Sequence, residues 1–263
     1  MSILNIAGYK FLPLTEIVLL QQHLLAQCQS LCLKGTILLS EEGININLSG
    51  NENPIQSFQA YLKNDARFMD MTFHESYSNH QPFKRLNVKL KNEIITLRQP
   101  DVSPALTERA PDISPEELKR WIDEKHDFTL LDTRNDYEVR FGTFKNAAHL
   151  QITDFGQLPH SIEHMDRDKP IVMFCTGGIR CEKAAVYMLN QGFSNVQQLD
   201  GGILGYFKKV GGDHYEGECF VFDERIALDC HLEQTGTVQC KTCQGPISTA
   251  EKLCVTCHPL DFT

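Results

Sequence analysis

Residues 171–184 read IVMFCTGGIRCEKA, a cysteine placed where an apolar run meets a glycine pair. Ile171, Val172, Met173 and Phe174 fit a short strand covered on both faces. Gly177 and Gly178 turn the chain after Cys175, and CEKAAVYMLNQG reads as a helix closed by Gly192. A strand end, a tight turn and a helix start surround whatever Cys175 carries with backbone N–H groups. The amides of Thr176 to Arg180 and the Arg180 guanidinium add positive potential, which favours the thiolate, the nucleophilic form of cysteine. A buried structural thiol has no use for such a turn. Cys181, in the first turn of the following helix, reads either as a small buried residue or as a resolving partner that captures an oxidised Cys175.

Loop length narrows the chemistry. Only Thr176, Gly177, Gly178 and Ile179 separate Cys175 from Arg180, one residue fewer than in the phosphatase signature. The tighter ring of amides suits a persulfide or its sulfur anion better than a tetrahedral oxyanion. A second group of cysteines closes the chain. Cys240, Cys243, Cys254 and Cys257 form two C-x-x-C pairs, a spacing that lets four sulfurs reach one structural zinc ion, with a flexible reduced tail or redox work on Cys175 as the alternatives. That stretch is poor in apolar residues, so a metal would supply folding free energy that its core cannot. The remaining motifs are bland: His74, His80, His149, His160 and His164 are scattered, and no nucleotide-binding glycine loop is present.

The elements that must position these groups fall into three segments. With 263 residues, 41% of them hydrophobic, the chain has room for two domains. No apolar run is long enough to span a membrane and no export signal is visible, so ten cysteines point to thiols or metal ligation in a cytoplasmic protein. The net charge of −9 is uneven: residues 1–110 balance ten basic against ten acidic side chains, whereas 111–218 carry twelve against eighteen. The first segment is therefore the one that does not repel a polyanion. Within it, Lys84, Arg85, Lys89 and Lys91 form the best RNA-facing strip, with a solvated strand face as the plain alternative. Phe73, Tyr77 and Phe83 flank that strip in sequence as candidate stacking side chains, and core packing explains them as easily. No DNA partner is expected.

Residues 1–98 alternate strands and helices in the order βαββαβ of a ferredoxin-like fold. LNIAGYKF opens it, a helix follows with its stop at Gly35, and FKRLNVKLKNEIITL supplies the last strand. Cys28 and Cys32 lie on the apolar stripe of the first helix and read as core thiols. Residues 99–112, with three prolines, read as a linker. Residues 113–212 open with a helix capped by Ser114, with Pro115 at its first position and Glu117 completing a capping box. FTLLD, KPIVMF and NVQQL then give strands separated by helices, the pattern of a parallel sheet covered on both sides. Ligands collect at the carboxyl ends of such strands, where Cys175 sits. Residues 213–263 form a cysteine-rich tail. The fold class is thus α+β followed by α/β.

Particular stretches carry a resemblance. LLDTRNDYEVRFGTFKNAAHL is similar to the first signature of the rhodanese fold, CTGGIR to its six-residue active loop, and LDGGILGY to the glycine-containing stretch after its last strands. Thr143 stands where that signature usually has a structural histidine, and Asp132, Arg134 and Glu138 fall among loop-bracing positions. CTGGIRCEKA, GECFVFDERIAL and GTILLSEEGININLSG together resemble the bacterial rhodanese-like tRNA uridine hydroxylases across nearly the whole chain. The resemblance implies oxygen-dependent formation of 5-hydroxyuridine at the wobble position, with molecular oxygen as co-substrate, the tRNA anticodon loop as partner, Cys175 essential and Arg180 in its loop. A thiosulfate or persulfide sulfurtransferase is the main alternative, and a binding adaptor with a relict loop is a third.

Overall fold

A computed structural model describes residues 2–107, 109–251 and 253–257, and the chain divides after Arg109 into two units. In the first, β1 (Ile3–Phe11), α1 (Ile17–Ser30), β2 (Lys34–Ser40), β3 (Gly43–Gly50), α2 (Glu52–Lys63) and β4 (His74–Ser78) follow the expected βαββαβ order, and β5 (Leu86–Leu90) is added. The sheet order is β4-β1-β3-β2-β5, antiparallel except where β5 runs parallel to β2. Alternate residues of β2 are buried, as a half-covered sheet requires. Leu24, Ile37, Leu39, Ile44, Ile46, Phe58 and Phe68 form the core of this unit.

Three local expectations fail here for identifiable reasons. Gly35 does not stop α1, which ends at Ser30; it lies in β2 with φ +130°, where a Cβ would come within 2.1 Å of the Asn47 carbonyl oxygen. Cys28 is a core thiol, pushed up to about 12 by burial. Cys32 instead lies past the helix end, exposed and with φ 54°, so the two cysteines share no face. The last strand stops at Leu90, because Glu93 folds the following chain back on itself by accepting the N–H groups of Leu97 at 2.9 Å and Arg98 at 3.1 Å.

The second unit contains β6 (Asp112–Ile113), α3 (Pro115–Asp123), β7 (Thr129–Asp132), α4 (Asp136–Val139), β8 (Gly142–Phe144), β9 (Ala148–His149), α5 (Leu158–Ser161), β10 (Ile171–Phe174), α6 (Ile179–Asn190), β11 (Val196–Leu199) and α7 (Gly202–Val210). Five strands make a parallel sheet in the order β6-β11-β10-β7-β9. Asp112, read from sequence as linker, pairs with Gln198 and belongs to this sheet. Ser114 caps α3 by accepting the Glu117 N–H at 3.1 Å. The Glu117 carboxylate accepts from Arg120 and Trp121 at 2.5 and 2.7 Å, which occupies the oxygen expected to turn back on Ser114.

The tail is not uniform. β12 (Tyr215–Gly217) pairs with β8, and β13 (Cys219–Phe220) pairs with β14 (Ala227–Leu228). Tyr215, Cys219, Val221 and Leu228 are buried in one core with Phe144, Phe174 and Tyr206, so this part of the tail completes the second unit. Phe144 stands edge-on to Phe174, Tyr206 and Tyr215, with centroids 4.7–5.2 Å apart. Only the final hairpin, β15 (Val238–Gln239) with β16 (Pro246–Ile247), lies among the four clustered cysteines. Among the described residues no helix is long and apolar enough to cross a membrane.

Candidate active site

Register places the reactive loop. Phe174 of β10 pairs level with Asp132 of β7, so the two strands end together and their following loops meet at one edge of the sheet. Cys175 leaves that edge fully buried. Gly178, with φ 100°, turns the chain into α6 and donates its N–H to the Cys175 sulfur at 3.1 Å. The N–H groups of Arg180 and Cys181 also reach the sulfur. Three amides of one helix start, those of Gly178, Arg180 and Cys181, therefore point at one atom, the cradle expected from the glycine pair. Thr176 Oγ1 is buried in the same loop without a hydrogen-bond partner, a donor left over for a group carried on the sulfur.

The loop is held from behind by α7. Ile203 donates its N–H to the Cys175 carbonyl at 2.9 Å, and Leu204 donates to the Thr176 carbonyl at 3.1 Å. The helix approaches this closely because Gly202 has no side chain: a Cβ there would lie 2.5 Å from the Cys175 carbonyl oxygen. This explains the LDGG motif, and it is a contact that sequence reading missed; the glycine pair after a strand was the available signal.

Two buried ion pairs brace the front. Arg180 donates Nη1 and Nη2 to Glu138 Oε1 and Oε2 at 2.6 and 2.7 Å, with side chains 5% and 0% exposed. Glu138 Oε1 also accepts the Asn135 N–H at 3.2 Å, which locks α4 to its own loop. Arg134 is fully buried and pairs with Asp132 through Nη2 at 2.6 Å, while Thr143 donates to the same Oδ2 at 2.8 Å. Asp132, Arg134 and Glu138 are bracing residues, and Thr143 fills its structural position by a hydrogen bond of its own.

Burial acts against a Cys175 thiolate, yet the Cys181 hydrogen bond, the Arg180 charge and the amides of Arg180 and Cys181 outweigh it and draw the thiol from 9.0 down to about 5. Cys181 moves the opposite way: burial first, then the negative Cys175 beside it, hold its proton on well above the usual range. Thr133 Oγ1 lies 3.5 Å from the Cys181 sulfur and donates to the Phe174 carbonyl at 3.1 Å. The pair is thus one thiolate and one thiol, with the thiol as donor.

Cys240, Cys243, Cys254 and Cys257 converge, all four sulfurs lying within 4.8 Å of one another. The Sγ separations of 3.9 Å for Cys240–Cys257 and 3.4 Å for Cys243–Cys254 bracket the edge of about 3.8 Å set by a tetrahedron with Zn–S bonds near 2.3 Å. The Gly245 N–H directed at its sulfur draws Cys243 down to about 6, while the neighbouring sulfurs, Cys243 first, push Cys257 up to about 12. The residues fit zinc. Arg140 ties this cluster to the rest of the unit by donating Nη2 to the Cys243 carbonyl at 2.5 Å. Among the described residues these four are the only metal-competent group, and the histidines do not gather.

Lys84, Arg85, Lys89 and Lys91 are all exposed, on or beside the sheet-edge strand β5. Tyr77 is also exposed but belongs to β4, at the opposite edge of that sheet, so it cannot flank the strip as its sequence position suggested. Phe73 packs against the core of its unit.

A parallel sheet, a cysteine loop at its carboxyl edge and a split βαβ unit before it define a rhodanese-like protein with an N-terminal α+β domain. Residues 114–209 match the family described as rhodanese-like domain, and residues 3–94 match the one described as UPF0176 acylphosphatase like domain. Proteins named tRNA uridine(34) hydroxylase are similar over almost the full length. The one from Cupriavidus pinatubonensis is 48% identical, covering 96% of this chain and 92% of its own. That from Paraburkholderia xenovorans is 45% identical, covering 98% and 97%. Among solved structures, a rhodanese-related protein of Thermoplasma volcanium is 28% identical with a TM-score of 0.33, covering 38% of this chain and 93% of that one. The chain belongs to the tRNA uridine(34) hydroxylase family.

Proposed function

We propose that this chain hydroxylates carbon 5 of the wobble uridine in the tRNA anticodon loop, in the cytoplasm, with molecular oxygen as co-substrate and Cys175 as the residue on which the reaction depends. The observation that carries the reading is a buried cysteine sulfur in an amide cradle, within a chain 48% identical over 96% of its length to a protein named for that reaction. One oxygen atom enters the carbon–hydrogen bond. The other leaves as water, which takes two electrons and two protons from a reductant of the thiol class. Cys175 acts as its persulfide, a nucleophile and reductant whose terminal sulfur the free Thr176 hydroxyl and the loop amides suit. Cys181 serves as the hydrogen-bond donor that holds the unmodified Cys175 sulfur anionic, before a persulfide moves that charge to its outer sulfur.

In the same reading Lys84, Arg85, Lys89 and Lys91 neutralise tRNA phosphates, and Cys240, Cys243, Cys254 and Cys257 hold a structural zinc that folds the last hairpin. The test is mass spectrometry of tRNA nucleosides from cells lacking this gene, complemented with wild type or Cys175→Ala. Return of 5-hydroxyuridine with wild type alone supports the reading. Levels that never depend on the gene overturn it and make sulfur transfer the leading function, and full hydroxylation by Cys175→Ser removes the persulfide.

A further inference from the structure

Phe222 lies beside the reactive loop and is 58% exposed, although both residues before it, Phe220 and Val221, are buried. Its ring stands edge-on to Phe220 at 5.2 Å, and Phe220 rests in turn on Tyr137 and Phe141 at 5.3 and 5.1 Å. The Arg180 guanidinium lies over the Phe222 ring, 5.8 Å from its centroid. Arg180 already has both terminal nitrogens on Glu138, so Phe222 is not needed as its partner. Single exposed apolar side chains are common on this chain, Met69 and Leu106 among them; what distinguishes Phe222 is that its exposed ring lies against the Arg180 of the reactive loop.

The turn that presents the ring is built to be stiff. Asp223 and Arg225, each 6% exposed, form an ion pair at 2.6 Å. Arg225 also donates its backbone N–H and Nε to Asp223 Oδ1 at 3.0 and 2.8 Å. Ile226 closes the turn by donating to the Asp223 carbonyl at 3.0 Å, and Val221 donates to the Ile226 carbonyl at 2.8 Å. A buried ion pair in so short a turn fixes the direction of an aromatic ring that faces solvent.

The reacting sulfur makes its own demand. Cys175 is fully buried and the Arg180 side chain is only 5% exposed, whereas the Phe222 ring against that guanidinium is open to solvent. A uridine inside an anticodon stack does not offer its ring to a buried atom and must be splayed out, losing its neighbours. An exposed aromatic face beside the loop restores that stacking.

We infer that Phe222 is the platform on which the reacting pyrimidine stacks, a substrate-positioning residue one layer above Arg180. The inference rests on the uridine hydroxylation reading. Its test uses the purified full chain and an anticodon stem-loop carrying either uridine or an abasic site at the wobble position. Phe222→Ala and Phe222→Leu bind the uridine stem-loop about 5- to 100-fold more weakly than wild type, whereas Phe222→Tyr and Phe222→Trp bind it as wild type does. In a Trp121→Phe background, which removes the single native tryptophan, the fluorescence of Phe222→Trp is quenched by the uridine stem-loop and much less by the abasic one. The Cys175 thiolate titration stays unchanged in Phe222→Ala, which separates stacking from damage to the loop. Rescue by Leu, or equal quenching by both stem-loops, overturns the platform while wild-type hydroxylation stands. Absence of uridine-dependent binding and hydroxylation in wild type overturns both.

Discussion

Removing the Cys181 thiol is the sharpest perturbation of the site, because that side chain is the first of the groups that counter burial at Cys175. A hydrogen bond to a charged acceptor contributes about 1.5–3 kcal/mol. At about 1.4 kcal/mol per unit, Cys181→Ala raises the Cys175 midpoint from about 5 by roughly one to two units. At pH 6 the thiolate fraction then falls from about nine-tenths to between about a half and a tenth. Cys181→Ser keeps a donor and leaves the midpoint within about half a unit of wild type. The assay is thiolate absorbance in the ultraviolet against pH, with the Cys175→Ser spectrum subtracted to remove the other cysteines; what it reads is the titration of the pair. The linkage has a definite sign. The folded pKa is depressed, so between about 5 and the ordinary 9.0 the unfolded chain binds the extra proton, and stability rises with pH across that window and is lost as pH falls through 5. Cys175→Ser abolishes that rise. A wild-type midpoint near 9, or a Cys181→Ala midpoint that does not move, refutes the assignment of the donor.

The other groups give distinct outcomes. Glu138→Ala leaves the Arg180 charge buried without its two-pronged partner, costs about 3–5 kcal/mol, and lowers the melting temperature by on the order of 10 °C in calorimetry. Gly202→Ala drives a Cβ into the Cys175 carbonyl and abolishes both the low thiol midpoint and 5-hydroxyuridine in complemented cells. Gly192→Ala, at φ +87° with nothing within 4 Å, costs only about 1–2 kcal/mol of backbone strain and keeps both. Metal analysis of the purified chain finds one zinc per molecule; Cys254→Ser loses it, and a chelator exposes four additional titratable thiols.

The sequence made the order of elements legible because strands and helices here are separated by clear turns, and it made Cys175 legible because a cysteine before a glycine pair has few other uses. The split βαβ unit, the parallel sheet and the capped start of α3 are all local patterns read at their own positions. What stayed hidden depends on chain partners far apart in sequence. Gly35 looked like a helix stop, and only the approach of β3 shows it to be a strand residue without room for a Cβ. Cys32 looked buried because a helical period was extended two residues past the real end of α1. Tyr77 seemed to flank the basic strip, but strand order sends β4 and β5 to opposite edges. Phe222 carries no sequence signal at all: exposure of an apolar residue in FVFDER follows from the Asp223–Arg225 turn, which the sequence does not announce.

Sequence reading credited the loop amides, the helix start and the Arg180 guanidinium together with favouring the thiolate, and the geometry adds the Cys181 thiol ahead of them. Arg180 spends two donors on Glu138, and Arg134 spends its charge on Asp132, so both buried arginines are neutralised by carboxylates before the sulfur is considered. The thiolate is then the one unbalanced charge among these five groups, held first by the Cys181 thiol, then by the Arg180 charge and the loop amides. That arrangement has a chemical consequence. A sulfur anion clasped by a free guanidinium would be stable but poorly nucleophilic, since nucleophilicity falls as charge is quenched and pKa drops. One whose nearest cation is shared with a carboxylate remains anionic at neutral pH under a weaker pull. Glu138 therefore does more than brace the loop: by sharing the Arg180 guanidinium it weakens that cation's pull on the sulfur that has to react.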